Sequence, residues 1–236
     1  MSGTDELYGD PQLAAAYARR STANVANAAY ERPAVRALLG DVRNLDVLDG
    51  GCASGEHSAW LADCGARVVA LDASEAMVAL ARAQLGPTAT VLHADLADPL
   101  PFEDRSFDVV LCSLSLHYLA DWNSTLREFA RILRRGGRLV ISTHHPLMTL
   151  PMVRDYHAVS TVDDAWSGLA AEPVAVRYYH RPLQRIIGDV LAAGFLLRGL
   201  HEPQPTAEAD ARDAAFTAQL RLRPGFLIVD AERRLQ

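Results

Sequence analysis

Val47-Leu48-Asp49-Gly50-Gly51-Cys52-Ala53-Ser54-Gly55-Glu56-His57 is the stretch whose reading decides the fold of this chain. Val47 and Leu48 read as the end of a buried strand. The glycines and small residues behind them form a turn, and Glu56 opens a helix. Roughly twenty residues on, the spacing at which α/β sheets bring up their ribose acid, Val68-Val69-Ala70-Leu71 repeats the strand signal and ends in Asp72. A backbone loop at a helix N-terminus, with an acid at the tip of the next strand, is how such a sheet holds a nucleoside. The loop approaches a polar tail closely, and the acid accepts hydrogen bonds from a ribose diol.

The loop then narrows the choice of nucleoside. A dinucleotide-binding turn needs G-x-G-x-x-G. Counted from Gly51, its third and sixth positions hold Ala53 and Glu56, so the register fails. A P-loop needs Gly-Lys-Ser/Thr, whereas Gly55 is followed by Glu56-His57, and an acid there repels phosphates. What remains is Asp-x-Gly-x-Ala-x-Gly, from Asp49 to Gly55. It resembles the glycine-rich first motif of class I S-adenosylmethionine-dependent methyltransferases, usually Asp-x-Gly-x-Gly-x-Gly, with Ala53 at the middle glycine.

Composition bounds the alternatives. The 236 residues suit one α/β domain, 1–236, and 50% of them are hydrophobic, enough for a full core. The net charge of −6 and the lack of a basic run argue against a nucleic-acid substrate held by its phosphates. No apolar run is long enough to span a bilayer. Residues 1–10 are polar and acidic, without a signal-peptide layout. Cys52, Cys64 and Cys112 give neither a disulfide framework nor paired metal-ligand spacing. A cytoplasmic, reduced protein, monomer or homodimer, is expected, and the preference for Ala and Arg over Lys fits a high-GC bacterial genome.

Strands are expected at 45–48, 68–71, 90–93, 107–112, 138–143, 195–200 and 226–229. Helices are expected at 11–20, where Asp10 caps and Pro11 starts the first turn, and at 28–40, 56–64, 74–85, 121–133, 182–193 and 207–220. Trp122, Leu126, Phe129 and Leu133 share one face of the helix at 121–133. Between 146 and 181 the alternation of strand and helix breaks. That segment is too long for a bare connection and reads as a cap insertion over the site. Residues 1–40 read as an N-terminal helical lid.

The resemblance extends beyond the first motif. Asp108 in Phe107-Asp108-Val109-Val110 matches the family's fourth-strand motif. Leu133-Arg134-Arg135-Gly136-Gly137-Arg138-Leu139-Val140 is similar to its "Leu-Lys-Pro-Gly-Gly" turn into the fifth strand. Ala193-Gly194-Phe195 and Pro224-Gly225-Phe226-Leu227 match the late segments. The nearest group is the small bacterial ubiquinone-biosynthesis-like, or type 11, methyltransferases. The resemblance implies a Rossmann-like, seven-stranded, mostly parallel sheet with helices on both faces and an antiparallel last strand.

It also implies S-adenosylmethionine as cofactor. Gly51, Cys52, Ala53 and Gly55 would give the close backbone approach, Asp49 would meet the amino group of the methionine tail, and Asp72 would take the ribose. Ala73 and Met77 would flank the adenine, with Asp95 and Leu96 as the adenine-edge pair. Ser113 would offer backbone near the sulfonium. Tyr17, and less so Tyr30, would touch the tail or shape the substrate cavity from the lid.

Methyl transfer is an in-line displacement at an activated carbon, so alignment and water exclusion matter more than a protein nucleophile. Where the acceptor must lose a proton, His is the usual base near neutral pH. His117, after the fourth strand, and His144 and His145, after the fifth, stand at the carboxyl edge of the sheet, with His180 a weaker candidate on the cap. His144 and His145 point oppositely if the strand continues, so only one faces the site. A metal held by these histidines lacks a spaced carboxylate partner. The expected reaction is O-, N- or C-methylation of a small-molecule acceptor in secondary or quinone-type metabolism. A non-catalytic or cyclase-type binder of the same cofactor, a nicotinamide-dependent oxidoreductase, and a methyltransferase for RNA or protein are the alternatives.

Overall fold

The computed structural model describes residues 8–235; residues 1–7 of the expected lid, and of the polar N-terminal reading, lie outside the described residues. The helices are α1 (Pro11–Ala23), α2 (Arg32–Leu39), α3 (Glu56–Asp63), α4 (Glu75–Leu85), α5 (Asn123–Ile132), the short α6 (Pro146–Thr149), α7 (Leu183–Ala192), α8 (Ala207–Arg212) and α9 (Ala214–Leu222). The strands are β1 (Asp46–Gly50), β2 (Arg67–Asp72), β3 (Ala89–His93), β4 (Phe107–Ser113), β5 (Leu133–His144), β6 (Ser160–Trp166), β7 (Val174–His180), β8 (Phe195–His201) and β9 (Phe226–Arg233).

Seven strands form one sheet in the order β3-β2-β1-β4-β5-β9-β8. Pairing is parallel from β3 through β5, while β9 runs antiparallel to both β5 and β8. The expected sheet is therefore the observed one. Strand order reverses between β1 and β4, which opens a crevice at the carboxyl ends of β1, β2 and β4.

Period-2 alternation sends each strand's side chains to two separate cores. Leu48, Val110, Ile141 and Val229 pack with Trp122 and Phe129 of the α5 region and with Ile186 and Val190 of α7. Their neighbours Val47, Val109, Val140 and Ile228 pack on the other face with Val35 and Leu39 of α2 and Leu61 of α3. Both faces are covered by helices, which is why these strands read as unbroken apolar runs.

Local chemistry sets most element ends as expected. Asp10 accepts from the amides of Gln12 at 2.7 Å and Leu13 at 3.2 Å and starts α1. Ser74 accepts from Met77 N at 3.1 Å and starts α4, which stops at Gly86. β5 begins at Leu133, five residues before the expected start, so Leu133 and the Gly136-Gly137 turn belong to the strand. Three further elements differ from expectation. The helix at 28–40 begins as a six-residue π-helical turn, Ala26–Glu31, before α2. Pro33 lacks an N–H and its ring crowds the carbonyl one turn back. That carbonyl, Ala29 O, instead accepts from Thr206 Oγ1 at 2.7 Å. The helix at 207–220 breaks at Asp213, which leaves helical dihedrals and caps α9 by accepting from Phe216 N at 2.9 Å. The cap at 146–181 contains an antiparallel hairpin, β6–β7, in the register Val162↔Tyr178.

That hairpin seats its inward residues Val162, Val176 and Tyr178 against Ala14 of α1, Met77 of α4 and Tyr118. Tyr17 of α1 stacks with Trp166 of β6 at 6.2 Å and 17°, and Arg20 donates to Ser167 O. The N-terminal helix and the hairpin thus meet above the crevice. No helix of the described residues is long and apolar enough to cross a membrane.

Candidate functional site

The turn after β1 is built by backbone. The amides of Gly51 and Cys52 both donate to Leu71 O, at 2.8 and 2.9 Å, and bind the loop to the end of β2. Gly51 has φ +78°, and a Cβ there would fall on Ser115 Oγ. Ser115 Oγ itself donates to Gly51 O at 3.0 Å, so the loop and the turn after β4 are joined through the Ser115 hydroxyl, which only a glycine at 51 leaves room for. Ala53, at the family's middle glycine, also takes positive φ, +49°.

Asp72 holds this loop from the tip of β2. Its carboxylate accepts from Ala53 N at 2.8 Å and Ser74 N at 2.9 Å. Burial pushes its pKa up from 3.8 to about 6, against the pull of those two amides. Asp49, at the end of β1, accepts from Ser58 Oγ at 2.6 Å, and burial raises its carboxyl as well. The Cys52 thiol is raised by burial and then by Asp49 and Asp72, so it is no ready nucleophile.

These groups line one cavity at the carboxyl edge. Asp49, Gly51, Cys52, Ala53 and Asp72 form its floor, with Ala73, Met77, Asp95 and Leu96 along one side. Ser113 and Tyr17 close it from the end of β4 and from α1. Of the cofactor residues expected from the sequence, Gly55 alone lies outside the lining. Its φ of +93° turns the chain into α3, and a Cβ there would press on Leu85.

Sequence reasoning missed a polar group on this cavity's wall. Glu31, 1% exposed, is delivered by the π-helical turn. It accepts from Ser113 Oγ at 2.7 Å and from Ser142 Oγ, and lies 3.5 Å from His57 Nε2. Burial pushes its carboxyl up, but His57 and the two serines outweigh that and hold it below the usual range. Beside it, the Arg32 guanidinium donates to Ser21 Oγ at 3.4 Å and forms no ion pair with a described residue.

A second cavity adjoins the first. Tyr17, Ser21, Asn27, Leu114 and Tyr118 line both, so the two cavities adjoin at these residues. Beyond them stand His117, His144, Tyr178, Trp166 and Phe226. His117 and His144 stack at 4.1 Å and 20°. Burial lowers both: His144 to about 4 against the pull of Asp164, and His117 well down with His144 repelling its proton.

The other histidines are held elsewhere. His145 Nδ1 accepts from Leu147 N at 3.1 Å and caps α6, and its Nε2 meets Glu202 at 2.9 Å. It lines neither cavity, because β5 ends at His144 and the next side chain turns away to start the helix. His180 is fully engaged by Thr149 Oγ1 at 2.6 Å and Tyr156 O at 2.9 Å. Tyr30 stacks on Phe226 and accepts from Gly225 N at 3.2 Å, as a packing residue. Asp108 lies at the opposite, amino edge of the sheet, paired with Arg134 at 2.7 Å.

The first cavity fits a nucleoside with a cationic, amino-acid-like tail. A cavity-facing acid stands at the tip of β2, a loop of small residues lies beside it, and the Arg32 guanidinium and the buried carboxylates of Glu31 and Asp49 line the same cavity.

The chain is similar to known methyltransferases. A family model described as a methyltransferase domain matches residues 48–141. A demethylmenaquinone methyltransferase of Lactococcus lactis is 31% identical over 202 residues, covering 83% of this chain and 71% of the relative. One from Clavibacter sepedonicus is 38% identical over 133 residues, and there the match spans about half of either protein, 55% of this chain and 54% of the relative. The crystal structure of an S-adenosylmethionine-dependent methyltransferase from Mesorhizobium loti superposes with a TM-score of 0.71 at 30% identity, over 90% of this chain and 100% of that one.

Proposed function

The chain belongs to the class I S-adenosylmethionine-dependent methyltransferases, and on that footing we propose that it methylates a small-molecule acceptor held in the second cavity. The acceptor belongs to secondary or quinone-type metabolism, and the methylated atom is O, N or C. The observation that carries this reading is the lining of Tyr17, Ser21, Asn27, Leu114 and Tyr118 common to both cavities, which makes them neighbours. Cavities that adjoin at the sheet's carboxyl edge let a donor in one and an acceptor in the other come into direct contact, as in-line transfer requires.

S-adenosylmethionine supplies, when bound, a methyl group already activated on a sulfonium. The chain's residues hold it and shape the acceptor. Asp72 receives the ribose hydroxyls. Asp49 and the loop Gly51–Ala53 meet the tail's amino end, and Arg32 its carboxylate. Asp95 accepts from the adenine amine and Leu96 N donates to the ring, with Ala73 and Met77 against its faces. Glu31 fixes Ser113 at the end of β4. The lid helix α1 and the hairpin β6–β7 close over both cavities and exclude water. His117 and His144 are the groups placed to accept a proton; His145, capping α6, is not.

Mass spectrometry of the protein incubated with S-adenosylmethionine and a panel of small aromatic and quinol acceptors tests the proposal. A product heavier by one methyl group, formed together with S-adenosylhomocysteine, supports it. Donor binding without any methylated product across the panel counts against it.

A further inference from the structure

The inner end of the second cavity is a column of rings. His117, in the turn Leu116–Tyr118, stacks on His144, and Phe226 continues the stack beyond His144 at 6.1 Å and 21°. Tyr178 stands edge-on to both imidazoles, at 5.9 and 4.8 Å. At the outer side, Tyr17 and Trp166 form a second stacked pair. The space between is flat-walled and suits a planar ring.

Polar groups in this column are few and specific. Nδ1 of His117 and Nδ1 of His144 are buried without a hydrogen-bond partner in the described structure, and His117 is 3% exposed. Native proteins rarely leave such groups unpaired, and each instance calls for an explanation such as a catalytic role or a bound water or ion. The charged groups facing the pair are Arg20 from α1 and Asp164 from β6. Arg20 donates to Ser167 O. Asp164 accepts from Tyr178 OH and Trp166 Nε1, each at 3.2 Å, and from Ala165 N at 2.8 Å. Tyr118 OH is paired with Tyr8 OH at 3.1 Å.

This arrangement discriminates between acceptors. A carboxylate would find one cation, Arg20, opposed by Asp164. An ammonium would find its carboxylate partner already taken by three donors. A neutral flat ring with a hydroxyl finds the aromatic column at the inner end and two neutral imidazoles beside it, with the uncharged polar side chains of Ser21, Asn24 and Asn27 on the rest of the lining. Resting on the reading that this cavity holds the acceptor, we propose that the acceptor is an uncharged aryl alcohol whose hydroxyl proton is taken by the stacked His117–His144 pair.

The balance is simple. The O–H bond breaks with its proton going to an imidazole nitrogen. The oxygen lone pair forms the O–CH3 bond while the electrons of the C–S bond return to sulfur. The imidazolium then releases its proton to water as the aryl methyl ether leaves. No oxidant or reductant takes part. Both imidazoles start neutral, since burial holds them low, and two rings 4.1 Å apart accept one proton between them. Asp164 faces His144 and favours the transient cation.

The test titrates the protein, saturated with S-adenosylhomocysteine, with phenol, 1-naphthol, naphthalene and 1-naphthoate. The proposal expects at least one of the two aryl alcohols to bind at least tenfold more tightly than naphthalene and 1-naphthoate. His117→Phe and His144→Phe keep the stack, so each should reduce that alcohol to the naphthalene level with S-adenosylhomocysteine affinity within twofold of the parent. With S-adenosylmethionine in place of the product, the parent should form the aryl methyl ether and the double variant His117→Phe/His144→Phe should lose at least a hundredfold in rate. Naphthoate binding as tightly as the alcohols, failure of both alcohols to bind, or a double variant that methylates at the parent's rate would overturn the proposal. Failure of S-adenosylhomocysteine to bind the parent would instead overturn the donor reading beneath it.

Discussion

The amide of Ala53 donates to the Asp72 carboxylate at 2.8 Å, so the acid that would receive a ribose also fixes the loop that would receive the tail. Asp72→Ala removes both functions at once and leaves two amides, Ala53 N and Ser74 N, without their acceptor. Binding of S-adenosylmethionine should weaken by about 1–3 kcal/mol, the usual cost of leaving buried polar groups unpaired. Titration calorimetry reads this directly, and an unchanged affinity would remove Asp72 from the site.

The same carboxyl makes stability and binding depend on pH in opposite senses. Its folded pKa, about 6, lies above the ordinary 3.8 because burial disfavours the charge. The folded chain therefore holds the proton more tightly than the unfolded one. Stability from this group is present below about pH 4 and is lost as the pH rises through about 6, by roughly 3 kcal/mol in total. Ribose hydroxyls donate best to the ionised form, so donor affinity should fall as the pH drops below 6. Unfolding free energies of the parent and Asp72→Asn from pH 4 to 8, with calorimetric affinities beside them, check both signs. A difference between the two proteins that is flat with pH contradicts the assignment.

Much of the donor cavity was legible because its signals are local. A strand end and a glycine-rich turn are adjacent in sequence, the acid follows at the end of the next apolar run about twenty residues on, and the apolar face at 121–133 announced its own burial. Glu31 was not legible, because Pro33 converts an expected α-helix into a π-helical turn and thereby aims the residue at Ser113 and Ser142, far away in sequence. The hairpin had a readable signal that was passed over: Val176, Tyr178 and His180 are buried and Ala175 and Arg177 exposed, a period of two. Asp163-Asp164 on its partner strand hid the matching pattern. His145 could not be separated from His144 by sequence, since what divides them is the end of β5 and the start of α6.

Gly51 is fixed by two constraints. It has positive φ, and a Cβ would displace Ser115 Oγ from Gly51 O. Gly51→Ala should lower stability and abolish tight donor binding. Adding Ser115→Gly removes the clash but leaves the left-handed strain, roughly 1–2 kcal/mol. Thermal unfolding of the single and double variants separates the two terms; a single variant as stable as the parent would contradict the packing.

Arg138 joins β5, β9 and the end of α2 at the amino edge of the sheet. It pairs with Asp230 at 2.7 and 3.0 Å and donates to Leu38 O at 2.8 Å and Leu39 O at 3.2 Å. Arg138→Met leaves the buried Asp230 carboxylate with the more distant Arg198 Nε, at 3.9 Å, and should cost about 3 kcal/mol, the low end for breaking a buried pair, much of it recovered by adding Asp230→Leu. Denaturant unfolding measures this. Donor affinity at temperatures where the variant is folded should stay unchanged, because both cavities lie at the other edge.

Calorimetric titration of ligand-stripped protein with S-adenosylmethionine, S-adenosylhomocysteine and NAD(H) tests the central claim most directly. The account predicts saturable one-site binding of the two sulfur ligands and none of the dinucleotide. Binding of NAD(H) alone, or no saturable heat with either sulfur ligand, would contradict it.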